Sequence, residues 1–165
     1  MAEGWLISSA ERENMPTTVK IQFMDKDGII VPDSSANPVI PIIIAASSEE
    51  DENKGVNVEH NVSTFALIDT GADDFYIDEK IIHQLSLPQV GTITVTTPLG
   101  VEERTIHHAL ISFTGDARVF GIKVISTKMT ENGANYHAVL GMRLISLGCL
   151  TLDSRQRIFH LTFDN

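Results

Sequence analysis

Between Thr17 and Phe23 the chain alternates, with Val19, Ile21 and Phe23 apolar against Thr18, Lys20 and Gln22. A period of two places successive side chains on opposite faces of an extended backbone, so the pattern predicts a half-buried strand over 17–23. "MDKDGIIVPD" (24–33) reads as strand, turn, strand, with Asp27-Gly28 as the hairpin dipeptide. Asp25 and Asp27 have the spacing that opens a calcium loop, but the later ligands of such a loop are missing, which leaves a turn. "PVIPIIIAA" (38–46) is almost continuously apolar and predicts a strand buried on both faces. "VSTFALID" (62–69) is the next strand, so the polar stretch between them should join antiparallel neighbours.

The period then changes. In "DEKIIHQLSLP" (78–88) Asp78 can cap a helix, Glu79 suits its first turn, Ile81, Ile82 and Leu85 make one apolar face, and Pro88 stops it. "TITVTT" (92–97) and "VEERTIHHALISF" (101–113) are strands flanking Pro98-Leu99-Gly100, a natural hairpin tip. "ARVFGIKVIS" (117–126) is another strand and "KMTENGAN" (128–135) a loop. "YHAVLGMRLISLG" (136–148) reads as a short strand feeding a short helix, with Gly148 placed to end it in a left-handed turn. "CLTLD" and "RIFHLTF" form a closing hairpin, and there is no internal repeat. The expected class is mainly β: closely spaced strands in a compact barrel, with two short helices.

Composition narrows the partners. The 165 residues suit one domain, read as a polar N-terminal arm over 1–18 and a single domain over 19–165 with an acidic loop insertion at 47–60. Twelve basic against twenty-two acidic residues give a net charge of −10 without any basic run, which argues against nucleic acid and against an anionic membrane surface. The N-terminal stretch lacks a basic flank and a long apolar run, and no segment has the length to span a bilayer, so a cytoplasmic or otherwise intracellular protein is expected. Asn61-Val62-Ser63 matches a glycosylation sequon, which without a secretory signal is taken as chance. Cys149, the only cysteine, sits in "LGCLTL" and reads as a small buried hydrophobe. His107 and His108 are adjacent and face opposite sides of a strand, and no His/Cys/Glu spacing reads as a metal site. Neither a phosphate loop nor a nucleophile elbow is present, so no cofactor is expected.

The segment that carries chemistry is "ALIDTGADDFYI" (66–77), where an apolar strand runs straight into Asp69. Burying a carboxylate there is costly, and an isolated Asp-Thr-Gly is more often a strand-end acid accepting backbone hydrogen bonds in a turn that Gly71 permits. A second segment alters that balance. "AVLGMRLI" (138–145) is apolar-apolar-Gly leading into a helix, and "LTLDSRQRIFHLTF" closes the chain. Together these resemble the active-site segment, the downstream Leu-Gly helix and the closing hairpin of retropepsin-like aspartic proteases, the retroviral type and its cellular and bacterial relatives. The similarity extends over Val19 to Phe163 in the order of elements.

That resemblance implies a single-lobe retropepsin-like barrel that forms a two-fold homodimer, because one chain supplies one Asp-Thr-Gly and the reaction needs two carboxylates. It implies an aspartic endopeptidase acting on extended peptide or protein substrates with no metal or other cofactor. Asp69 is then the catalytic acid or base. Thr70 would bond across the dimer, Gly71 would let the backbone approach substrate, and Ala72 and Asp73 would line the groove. Pro98, Leu99 and Gly100 would be the tip of a flap, or simply an ordinary hairpin turn. Leu140 and Gly141 would pack beneath the catalytic loop. Arg143 departs from the family pattern, which has an acid after Gly-Met or the triplet Gly-Arg-Asn; it either pairs with Asp73 or Asp74 or points to solvent. Ile77 and Val139 are side-chain pocket candidates, or core. The alternative from a different class is a retropepsin-fold module for peptide binding or dimerisation without turnover.

Overall fold

The computed structural model describes residues 16–46, 60–114 and 119–164, so most of the arm and of the acidic loop lie outside the described residues. Among the described residues twelve strands and two helices follow in order: β1 (Thr17–Lys20), β2 (Gln22–Met24), β3 (Ile30–Val31), β4 (Asn37–Ala45), β5 (Asn61–Ile68), β6 (Phe75–Asp78), α1 (Glu79–Gln84), β7 (Gln89–Thr97), β8 (Gly100–Phe113), β9 (Val119–Thr127), β10 (Ala138–Leu140), α2 (Met142–Ile145), β11 (Cys149–Asp153) and β12 (Ile158–Phe163). β1 begins inside the segment assigned to the arm.

The alternating stretch 17–23 is two strands rather than one. Ile21 interrupts it, its N–H donating to Phe159 O at 3.1 Å. β1 joins a three-stranded sheet of order β1-β12-β11, and β2 enters a nine-stranded sheet of order β3-β2-β4-β5-β10-β6-β9-β8-β7. β4 pairs with β5 over Val39 to Ala45. On its other edge it changes partner, from β2 over Asn37 to Val39 to β8 over Ile42 to Ala45. Pro41 sits at that change, where a residue without an N–H costs no ladder bond.

The Ile-rich character of β4 follows from burial on both sides: Val39, Ile40, Ile42 and Ile44 are fully buried. Ile40, Ile42 and Ile44 pack with Ala66 and Ile68 of β5, Phe75 and Ile77 of β6, Ile111 and Phe113 of β8, and Leu161 of β12 in one core. Phe113 stacks on Phe163 with ring centroids 5.3 Å apart, tying the small sheet to the large one. α1 packs Ile81 and Ile82 inward, and Asp78 caps it by accepting the Lys80 N–H at 2.9 Å.

Two expectations fail at the start of the final hairpin. Gly148 is not in the left-handed region. Glycine is needed there because a Cβ would stand 2.4 Å from Thr162 O and 2.9 Å from the Phe163 ring: α2 leads into β11 directly against β12. Cys149 is exposed, not buried, since β11 is an edge strand of the three-stranded sheet. The apolar neighbours that suggested burial are partly exposed as well, Leu152 at 50% and Leu147 at 63%.

Candidate active site

β5 delivers Asp69 to the end of a buried strand, and β10 fixes it there. β10 lies parallel to β5, with Leu140 opposite Ile68, and antiparallel to β6, with Leu140 opposite Phe75. This threading brings the carbonyl of Leu140 within 3.1 Å of the Asp69 N–H. Asp69 then closes its own turn. Its Oδ1 accepts the Gly71 N–H at 2.8 Å and its carbonyl accepts the Ala72 N–H at 3.2 Å. A carboxylate held by a backbone N–H is oriented without a cation beside it.

The start of α2 braces the far side of this loop. The Met142 N–H donates to Ala72 O at 2.8 Å and the Arg143 N–H to Asp73 O at 2.9 Å. Two of the otherwise unsatisfied donors of a helix start are thereby spent on the loop that carries Asp69. Gly141 makes the approach possible, since a Cβ there would lie 2.2 Å from Asp74 O and 2.7 Å from Ala72 O. Leu140 is fully buried in the core beneath. Arg143 pairs with Asp74, of the two acids that sequence left open. The arginine side chain is 75% exposed, so the pair is worth only about 0–1 kcal/mol.

Asp69, Gly71 and Ala72 form one side of a cleft of about 650 Å³ whose other borders include Tyr76, Arg104 and Tyr136. Val139 lines it; Ile77 is fully buried in the core. Thr70 and Asp73 are exposed beside the loop and outside the cleft lining. Pro98 and Leu99 form the two-residue turn of the β7–β8 hairpin, closed by the Thr97–Gly100 pair. Gly100 has φ +135, a conformation that favours glycine. Leu99 is 95% exposed. Pro98 and Leu99 line a neighbouring depression rather than the Asp69 cleft, and Arg104 borders both.

Tyr76, Arg104 and Tyr136 are among the cleft residues that sequence reasoning missed. Tyr76 had a usable signal: in "FYID" Phe75 and Ile77 point into the core, so a period of two turns Tyr76 to the opposite face. Arg104 and Tyr136 had none, because their positions depend on pairings distant in sequence. Burial pushes the Tyr76 phenol above its ordinary pKa, and the carboxylates of Asp74, Asp73 and Asp69 act in the same direction against the Arg104 guanidinium. Burial, then the Asp69 charge, raises Tyr136 likewise. Both phenols therefore stay protonated near neutrality and can donate hydrogen bonds into the cleft.

Asp78 supports the wall behind. Its Oδ2 accepts the Thr130 N–H at 2.7 Å while Oδ1 caps α1, so one buried carboxylate anchors the 128–135 turn that flanks the cleft. Asn135 continues the anchoring, its Nδ2 donating to Lys26 O at 2.6 Å. The Asp25 carboxylate is used locally, its Oδ1 accepting the N–H groups of Asp27 and Ile29. Among the described residues no group of three or more His, Cys, Asp or Glu side chains is placed to hold a metal ion. No helix among them is long and apolar enough to cross a membrane.

No family model matches the chain. No curated protein matches it in sequence. Solved structures do match. A crystal structure of a retropepsin-like aspartic protease from Rickettsia conorii superposes with a TM-score of 0.54 over 90% of this chain and 92% of that one, at 16% identity. A solution structure of the simian foamy virus (mac) protease covers 66% of this chain and 91% of that one, at 14% identity and a TM-score of 0.42. With Asp69 at the end of β5, held against the Leu140-Gly141 segment and the start of α2, the fold of this chain is that of the retropepsin-like aspartic proteases.

Proposed function

We propose that the protein is an aspartic endopeptidase, a hydrolase in which Asp69 of two chains meets across a two-fold axis. The observation that carries this reading is the Asp69 loop itself: a carboxylate at the mouth of a cleft, oriented by the Gly71 N–H and braced from behind by α2. A purely structural acid would have no need of an open cleft in front of it.

The chemistry follows from placing two such carboxyls about 3 Å apart, where both cannot ionise and the pair holds one proton. The ionised Asp69 takes a proton from water as the water oxygen bonds to the scissile carbonyl carbon. The protonated one hydrogen-bonds to the carbonyl oxygen and stabilises the charge that develops there. A proton then passes to the amide nitrogen as the C–N bond breaks, giving an acid and an amine. The titration belongs to the pair and not to one residue.

In this reading the large sheet closes into a barrel through the β4–β8 pairing. Thr70, exposed in one chain, meets its copy across the axis and stiffens the paired loops. Gly71, Ala72 and Asp73 contact the substrate backbone. Pro98, Leu99 and Gly100 are the flap tip, which folds over a peptide bound as an added strand and excludes water. The exposed edge strand β11, with Cys149 and Leu152 along it and Leu147 just before it, is the surface offered to the partner.

The test is cleavage of a broad peptide library by the wild-type protein and by Asp69→Asn, over a range of protein concentrations. Asn keeps the shape of the side chain but cannot act as base or share the proton. Cleavage that vanishes in Asp69→Asn, and whose rate per chain rises with concentration, supports the reading. Cleavage retained by the mutant refutes it, and peptide binding without turnover in either protein favours a binding module.

A further inference from the structure

We propose that Arg104 is a specificity-determining residue that selects peptides bearing an acidic side chain, aspartate or glutamate. The inference rests on the endopeptidase reading for what the bound peptide is for, and on the cleft alone for its chemistry.

Arg104 lies on β8, on the strand that descends from the hairpin tip, and its side chain is 20% exposed. It is held on two sides. Glu102 Oε2 accepts from Nε at 3.4 Å and from Nη2 at 3.1 Å, and Thr127 Oγ1 accepts from Nη1 at 3.1 Å. A guanidinium has five N–H donors. Three are engaged, which leaves one on Nη1 and one on Nη2. Where Thr127 takes the Nη1 hydrogen on the Cδ side, the two left are the outward pair of the guanidinium, which matches the spacing of a carboxylate. Because Glu102 and Thr127 already fix the plane, little side-chain freedom remains to be lost when a ligand binds.

The surroundings decide from which side that ligand enters. The depression beyond Arg104 sets Glu79, Glu102 and Glu103 against Lys128, which it shares with the Asp69 cleft, and this excess of carboxylates repels an incoming acid. The Asp69 cleft faces the guanidinium with Lys26 and Lys128 against Asp25 and Asp69. Lys128 is drawn toward Glu131 at 3.6 Å, both exposed, and Asp25 is committed to its own turn. The protonated phenols of Tyr76 and Tyr136 border the same space and offer further donors to an acceptor there. An acidic side chain of a peptide lying across Asp69 therefore finds charge-assisted donors in this cleft, where its uncharged amide finds weaker ones.

The experiment is a peptide series in which Glu is compared with Gln at each position in turn. Two readouts are taken: cleavage by the wild-type protein, and binding to Asp69→Asn protein by fluorescence anisotropy. At one position Glu should be preferred to Gln on the order of tenfold in binding. Adding Arg104→Gln should abolish that preference while changing affinity for the Gln peptide little. Arg104→Lys, which keeps the charge but not the fork, should retain only a fraction of the preference. Equal binding of Glu and Gln peptides at every position, or a preference that survives in Arg104→Gln, overturns the proposal. The two readings fail separately: an Arg104-dependent binding preference without Asp69-dependent cleavage upholds the acid-selective site and removes the endopeptidase. Asp69-dependent cleavage with no Arg104-dependent preference does the reverse.

Discussion

Replacing Gly141 with alanine adds one methyl group at the point where the Asp69 loop rests on α2. The new Cβ would stand 2.2 Å from Asp74 O and 2.7 Å from Ala72 O, and both are backbone atoms that no side-chain rotation can move aside. Either the loop or the helix start must retreat. Retreat breaks or stretches the bonds from Met142 N–H to Ala72 O and from Arg143 N–H to Asp73 O, now 2.8 and 2.9 Å. Two backbone hydrogen bonds are worth about 1–3 kcal/mol net. Forcing a methyl into a closed contact costs about 1–3 kcal/mol more. The expected loss is therefore about 2–6 kcal/mol, a large part of the about 5–15 kcal/mol by which a domain is stable. Urea unfolding measures it as a lower midpoint at unchanged slope. Gly121→Ala is the control, because a Cβ there meets nothing nearer than 3.6 Å, and it should stay within about 1 kcal/mol of wild type. The reasoning is refuted if Gly141→Ala costs no more than Gly121→Ala. Any Asp69-dependent cleavage should fall more than stability does, because the loop that retreats carries the acid.

The remaining predictions concern the wall of the cleft and its lid. Burial pushes the Asp78 carboxyl up, but the N–H groups of Thr130 and Lys80 and the nearby His137 outweigh it, and its pKa lies below the ordinary carboxylate value. A depressed carboxylate contributes stability above its unfolded pKa of about 3.9 and loses it as pH falls through the lower folded value. Wild type should thus exceed Asp78→Asn in unfolding free energy from urea titration at neutral pH, by about 1–3 kcal/mol, with the gap closing in strong acid; a gap that widens on acidification contradicts the sign. Leu99→Ser at the 95% exposed hairpin tip should change stability by less than about 0.5 kcal/mol yet lower kcat/KM for peptides if that tip is a lid. An unchanged kcat/KM would reduce the tip to an ordinary turn.

Local features were legible in the sequence and long-range ones were not. The cap at Asp78, the Asp27-Gly28 turn and the Pro98-Leu99 turn are decided by residues within a few positions of one another, and each stands where the pattern put it. The same holds for the apolar β4 and the closing hairpin. Alternation over 17–23 could not reveal that Ile21 divides two sheets, because the break is caused by Phe159 near the other end of the chain. Gly148 was placed at the right point for the wrong reason: a helix-ending glycine and one pressed against Thr162 look alike in sequence. Cys149 has apolar neighbours, but an edge strand leaves such neighbours uncovered within one chain. At the candidate site the acid and its brace were readable because each is a short motif. Tyr136 and Arg104 reach the cleft only through the partners of β8 and β10.

The insertion of β10 between β5 and β6 also sets an order in time. The N–H of Asp69 finds its partner, and the loop around it its brace, only in residues that a ribosome adds long afterwards. Contacts so far apart in sequence are slow to form, and here they cannot begin until the stretch around Leu140 has been made. A nascent chain that already contains Asp69 thus holds it in an unbraced loop until Leu140 and the start of α2 have been added. Whatever reactivity the carboxylate has in the finished fold is withheld from the growing chain until the sheet is threaded shut.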